Sequence, residues 1–304
     1  MAQVLHDAAL LLTIILVGWG VKRLGWLAET DVRVISLIVL RVTLPCALLT
    51  VADDVTLGES ALWLLGLGIG INLVQEAAAF LLERRRGRRA QAFAVLNTGG
   101  HNLGLFTMPY LSGLIGPSAI PPALVFDITN SWGAGGTGYG WGLALAREDS
   151  RVTLWAIVRQ MFRSPVFLTY LVILVLRLLD ASLPAIVLDF TSLVGQANTF
   201  LAMFMLGVGL RLALPRARLA TAVRLLTLRY VLAVVAALLT WFFVPLDDFT
   251  RMILCAVYFS PVPAMASGFT EEARGDVQLS AFLTSVSILV ALVTIPAVVL
   301  WAGT

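Results

Sequence analysis

The stretch Asn97-Thr98-Gly99-Gly100-His101-Asn102-Leu103-Gly104-Leu105-Phe106-Thr107-Met108-Pro109 decides how the rest of the chain is read. It lies inside an apolar segment long enough to cross a bilayer, yet it holds three glycines, two asparagines, a histidine and a proline. Such residues propagate a helix poorly and bring polar groups to a depth where lipid offers no partners. Irregular backbone is tolerated there only against protein or a water-filled cavity. A broken transmembrane helix is the reading that follows, and helices broken near the midplane are how secondary transporters turn helix-end dipoles and free carbonyls toward a cargo.

The remainder of the chain is consistent with a membrane setting. Of 304 residues 59% are hydrophobic and 13% are charged, about half the charge of a typical soluble domain, and the mean hydropathy is +0.92. The net charge is +3, but the arginines gather in a few loops, which is a topology signal and not a nucleic-acid footprint. Cys46 and Cys255 both fall in apolar runs and read as reduced packing residues. The start, Met1 to Asp7, has no basic n-region, so the first apolar run is expected to stay as a span rather than be cleaved.

Apolar runs of membrane-crossing length fall at 5–22, 33–51, 60–82, 90–114 and 119–146, then at 164–180, 187–211, 219–244, 250–271 and 277–301. The loop Arg84-Arg85-Arg86-Gly87-Arg88-Arg89 is expected to be cytoplasmic. Alternate loops add Lys22, Arg23 and Arg33, then Arg147, Arg151, Arg159 and Arg163, then Arg211, Arg216, Arg218 and Arg224, and Arg274. In all, 17 of the 21 basic residues fall on that side, which places both termini outside. The expectation is an all-α polytopic protein of the cell (inner or plasma) membrane with ten transmembrane helices.

Five spans per half force the second half to insert upside down relative to the first, which is an inverted repeat. The division is 1–146 and 164–304, joined by 147–163, in which Arg151 to Gln160 reads as an amphipathic interfacial helix. The fourth span of each half is the interrupted one. In the second half the interruption is Tyr258-Phe259-Ser260-Pro261-Val262-Pro263-Ala264-Met265-Ala266-Ser267-Gly268, where two prolines remove two donors and stop the helix. Broken helices 4 and 9, crossing at the centre, are the expected architecture.

Phe93-Ala94-Val95-Leu96-Asn97, the run Asn102-Leu103-Gly104-Leu105-Phe106-Thr107-Met108-Pro109 and Gly116 together resemble the fourth span of the auxin efflux carrier family, whose bacterial members are organic-acid permeases. The family pattern keeps Asn102, Gly104 and Pro109 and departs at Leu103 and Thr107. Leu44-Pro45, Phe126-Asp127 with Asn130, Arg163-Ser164-Pro165 and Leu206-Gly207-Val208-Gly209-Leu210 agree as well. The resemblance implies inverted five-span repeats, a scaffold and a transport domain, elevator-like movement and a small organic anion as substrate. More distantly it implies the plan of the sodium-coupled bile-acid symporters. A sensor on the same fold is the reading from another class. The absence of a nucleophile, base and metal constellation in the sequence argues against an enzyme, and no cofactor is implied beyond coupling to H⁺ or Na⁺. Partners are the anion and the bilayer; a homodimer is compatible and nucleic acid is not expected.

Candidate substrate contacts are Asn102, Asn97, His101, Gly104 and Pro109 in the first break and Ser260, Pro261, Val262 and Pro263 in the second. An asparagine amide and a freed helix N-terminus can hold a carboxylate, or the amide can merely satisfy backbone at the kink. His101 can shuttle protons or be a hydrogen-bonded core residue. Carbonyls of the second break can face a cation or a substrate hydroxyl. Charges within spans are costly. Arg41, one turn before Pro45, can pair with an anion or form a salt bridge to Asp127 or Glu76. Asp127, Asn130 and Glu76 are candidates for the coupling ion, although Glu76 and Arg229, within about two turns of the cytoplasmic ends, can also snorkel. The run Gly133-Ala134-Gly135-Gly136-Thr137-Gly138 fits GxGxxG, but no strand precedes it; small residues for close helix approach are expected there.

Overall fold

The residues described in the computed structural model are 2–146, 155, 159 and 162–303. All regular elements among them are helical. Helix α1 is Ala2–Arg23, α2 is Val32–Thr50, α3 is Glu59–Leu82, α4 is Arg88–Thr98 and α5 is Met108–Ile115. Helix α6 covers 120–146, α7 is Pro165–Leu178, α8 is Ala185–Gly209 and α9 is Arg216–Phe243. The chain closes with α10 (Asp248–Tyr258), α11 (Ala266–Glu272) and α12 (Val277–Ala302). Six of these, α1, α2, α3, α8, α9 and α12, are long and apolar enough to cross a membrane. The interfacial helix expected at 151–160 lies outside the described residues apart from Trp155 and Arg159.

The distribution of burial is that of a membrane protein. Large apolar side chains such as Leu62, Ile186, Leu193 and Phe243 are exposed, while Asn72, Gln75, Asn97, His101, Asn102, Asp127, Asn130 and Arg229 are buried. In water the reverse arrangement would be favoured. In lipid an apolar exterior costs nothing, and polar groups find partners only inside. Cys46 and Cys255 are buried and free.

Proline chemistry explains two local features. In α2 the turn Val39–Thr43 widens to i→i+5 bonding just before Pro45, and Leu103–Thr107 does the same just before Pro109. In both, the proline has no N–H to give to the carbonyl four residues earlier and its ring crowds that carbonyl, so the preceding turn opens. Helix α6 has a third such stretch at Gly133–Gly138. There Gly133 lies against the Asn72 side chain and Gly138 against Glu76 of α3, so the small residues do let two helices approach closely.

Packing sorts the helices into two groups. Helices α1, α2 and α7 pack on or near α8, whereas α3 packs on α6, α9 on α10, and α12 on α10 and α11. Each group draws on both halves of the sequence, so 1–146 and 164–304 interleave rather than pack as separate bodies. At one end of the second group Arg224 of α9 pairs with the buried Glu83 at 2.6 Å, and Arg218 pairs with Asp276 at 2.9 Å.

Candidate functional site

Helix α4 ends at Thr98 and α10 at Tyr258, and the segments that follow meet. The Asn102 N–H donates to the Pro261 carbonyl at 3.0 Å. The Thr107 hydroxyl donates to Ser260 Oγ at 2.7 Å, and the Thr107 N–H donates to the Asn102 carbonyl at 3.0 Å. Val262 N–H is taken by Ser287 Oγ of α12 at 2.9 Å. Gly100 permits the crossing: its φ is +78°, and a Cβ there would lie 2.6 Å from Ala134 Cβ and 2.9 Å from Pro263 Cγ. Thr107 adds a side-chain tie between the two breaks to the main-chain bond of Asn102 to Pro261.

Polar side chains around the crossing form a continuous network. Asn130 of α6 accepts the His101 N–H at 2.9 Å and donates from Nδ2 to the His101 carbonyl at 2.9 Å, which fixes the orientation of its amide. His101 Nδ1 then faces Asn130 Oδ1 at 3.3 Å, so Nδ1 carries the proton in the neutral ring, and the buried Nε2 has no partner. Asn130 Nδ2 also donates to Asp127 Oδ1 at 2.7 Å, and the Tyr170 hydroxyl of α7 donates to Asp127 Oδ2. Among the described residues Asn102 Nδ2 is buried without an acceptor.

Glu76 does not snorkel. It is 0% exposed, wedged between Gly99 and Gly138, with Oε1 accepting from Thr137 at 3.2 Å and Oε2 unpartnered. A cavity of only about 10 Å³ lies beside the same two glycines, lined by Gly99, Ala134, Gly138, Pro263 and Phe269. That is room for about one water molecule. A larger cleft of about 400 Å³ opens near Asp54, Ser60, Ser118, Pro121 and Thr250, and no residue of either break lines it.

Several sequence expectations change. Asn97 is not free for a ligand: its Nδ2 donates to Phe93 O and Thr270 Oγ1, each at 2.9 Å, and its Oδ1 accepts from Ser280, tying α4 to α11 and α12. Arg41 is not brought to the site. It is exposed and lies two residues from the buried Val39 and Thr43 on either side, hence on the opposite face of α2; among the described residues no ion pair joins it to Asp127 or Glu76. Pro109 opens α5 beyond the break, with its carbonyl taken by Thr199 of α8 at 3.3 Å, and Gly104 lies against Leu44 of α2.

Arg229 is the largest departure. It is 1% exposed, and its guanidinium reaches four main-chain carbonyls: Thr98 at 2.6 Å, Gly100 at 2.8 Å, Ser260 at 2.8 Å and Pro261 at 3.1 Å. Depth along the helix suggested a snorkelling residue; the inward azimuth of α9 carries it to the crossing instead. The buried Gln75 and Tyr170 were also missed, having no motif around them. Arg229 could have been suspected from one cue, an arginine ten residues into a membrane-length apolar run, one and a half turns beyond Arg224.

The link between Asp127 and Tyr170 joins the two groups of helices. Tyr170→Phe leaves a buried carboxylate oxygen without its donor, which costs about 1–3 kcal/mol. The expected result is a lower unfolding midpoint in detergent for Tyr170→Phe, with an unchanged midpoint counting against the bond.

No protein-family model matches the chain, and no curated protein matches it.

Proposed function

We propose that this protein is a secondary carrier of small organic anions, carboxylates in the first place, built as ten spans in two inverted five-helix repeats. In this reading α4 with α5 and α10 with α11 are the broken fourth and ninth spans. The group containing α1, α2, α7 and α8 is the scaffold, and the remaining helices are the transport domain. The resemblance to auxin efflux carriers supports this reading, as does the loop charge pattern, which puts both termini outside.

The observation that carries it is the meeting of two helix breaks around a buried donor, Asn102 Nδ2, that no described protein group accepts. Buried polar groups are otherwise almost always paired, and a carboxylate would accept that hydrogen atom. Helix charge points the same way. Arg229 neutralises the C-terminal ends of α4 and α10, each worth about half a negative charge. The N-terminal end after Asn102 keeps its partial positive charge and favours an anion. Since the cavity beside the break holds about one water molecule, cargo cannot enter without movement. Sliding of the transport group along the scaffold would open the break to either side in turn, with Asp127, held by Asn130, and Glu76 placed to bind a coupling proton.

The test is counterflow in proteoliposomes with a panel of mono- and dicarboxylates, amino acids and indole acids. Asn102→Ala removes one hydrogen bond to a charged ligand, worth about 1.5–3 kcal/mol, so uptake should fall on the order of ten- to a hundred-fold while the unfolding midpoint holds. Wild-type uptake by Asn102→Ala would remove Asn102 from the site. A ligand that binds tightly yet never reaches the lumen would favour a sensor.

A further inference from the structure

We propose that the crossing of the two broken helices is a monovalent-cation site whose permanent occupant is the protein's own Arg229. The crossing therefore takes no sodium ion, and any coupling of transport cannot run on a sodium gradient through this position. The second statement rests on the carrier reading above; the first does not.

The acceptors are the first argument. Thr98 and Gly100 belong to one break, Ser260 and Pro261 to the other, and all four oxygens are main-chain carbonyls within 3.1 Å of the two terminal guanidinium nitrogens. Carbonyls freed at unwound helix ends are the groups with which broken-helix carriers coordinate cations. Here they converge on a nitrogen fork, and no carboxylate among the described residues pairs with it.

Charge is the second argument. The C-terminal ends of α4 and α10 each present roughly half a negative charge, so the crossing calls for about one positive charge in total. A buried ion left unpaired is strongly unfavourable. One guanidinium answers one such call, which explains how Arg229 can be 1% exposed without an acidic partner. Leu225 and Ala233, one turn before and one turn after it on α9, are buried in the packed interior, so the side chain is held on the inward face.

Tethering is what gives the arrangement a functional consequence. A cation that is part of the chain neither binds nor leaves during a cycle, so it transfers no free energy from an ion gradient. It keeps the two helix ends neutralised in every state of the carrier. A sodium-coupled relative would have to bind its ion at this point afresh in each cycle.

The experiment uses the full chain in detergent and follows the unfolding midpoint at fixed ionic strength while NaCl replaces choline chloride. The wild-type midpoint is expected not to move. For Arg229→Ala the midpoint should drop and then recover saturably with low-millimolar methylguanidinium or with sodium, but not with equal concentrations of urea or choline, because a ligand that binds only the folded state stabilises it by mass action. A saturable rise of the wild-type midpoint with sodium overturns the proposal. So does an Arg229→Ala protein as stable as wild type and indifferent to cations. Should Arg229→Ala fail to fold, Arg229→Lys and Arg229→Met decide: recovery of folded protein by the charged variant alone supports the cation role, and equal behaviour of the two overturns it. Uptake by wild-type proteoliposomes should be equal in sodium and choline buffers; sodium-stimulated uptake overturns the coupling statement. A protein that transports nothing on the panel removes the carrier reading and leaves the midpoint results to decide the cation site.

Discussion

Replacing Gly100 by alanine is expected to lower the unfolding midpoint steeply and to abolish uptake. Two independent penalties coincide at this residue. Its φ of +78° lies in the left-handed region, which costs a residue with a Cβ roughly 1–2 kcal/mol. The added methyl group would also stand 2.6 Å from Ala134 Cβ and 2.9 Å from Pro263 Cγ, an overlap of the kind that costs about 1–3 kcal/mol in a filled interior. Neither neighbour can yield easily, because Ala134 has no further torsion and Pro263 is a ring in the second break. Relief would have to come from separating the breaks, which would lengthen the bond from Asn102 N–H to Pro261 O and pull two carbonyls away from Arg229. Gly135→Ala is the control, since nothing lies within 4 Å of a Cβ there. Thermal unfolding in detergent and uptake in proteoliposomes check the pair; equal midpoints for the two variants would sink the argument.

The second large effect is expected at the contact between α1 and α8. A Cβ on Gly207 would meet main chain and not side chain, with Ile15 C and Trp19 N each at 2.9 Å, and one on Gly18 would lie 3.1 Å from Phe204 C. Backbone atoms of two packed helices have no rotamer to change. Gly207→Val therefore forces the helices apart and loses the dispersion contacts of the whole crossing. The cost should reach or pass the upper end of the 1–3 kcal/mol range for overpacking, seen as loss of monodisperse protein and a lower midpoint. Gly20→Ala, on α1 with open space around it, should be tolerated. A Gly207→Val protein with the behaviour of Gly20→Ala would contradict the packing.

Much of the architecture was legible because it follows from local chemistry and length. Runs of apolar residues give helices whose number and extent depend on how far the chain must travel between polar ends. Glycine and proline mark the interruptions wherever they stand, so both interruptions could be expected from residue types, within 97–109 and 258–268, and the structure narrows them to 99–102 and 259–265. The use of Gly133–Gly138 for close approach could be read from size.

Which polar side chains face the crossing was another matter. Asn97 and Asn102 are the same residue type five positions apart, yet Asn97 spends its amide on Phe93, Thr270 and Ser280 while Asn102 keeps a free donor. Two of those partners come from 173 and 183 residues away, and nothing in a local window announces them. Arg41 and Arg229 show the same point for charge. Both interrupt apolar helices; the azimuth of α2 turns the first outward and that of α9 turns the second to four carbonyls. The sequence by itself determined that this chain is helical, apolar on its outside and broken at two places, since those properties belong to short segments and their solvent. Only the tertiary structure decided that Arg229 closes the crossing, because a side chain's role is fixed by the helix face it occupies and by the elements packed against that face.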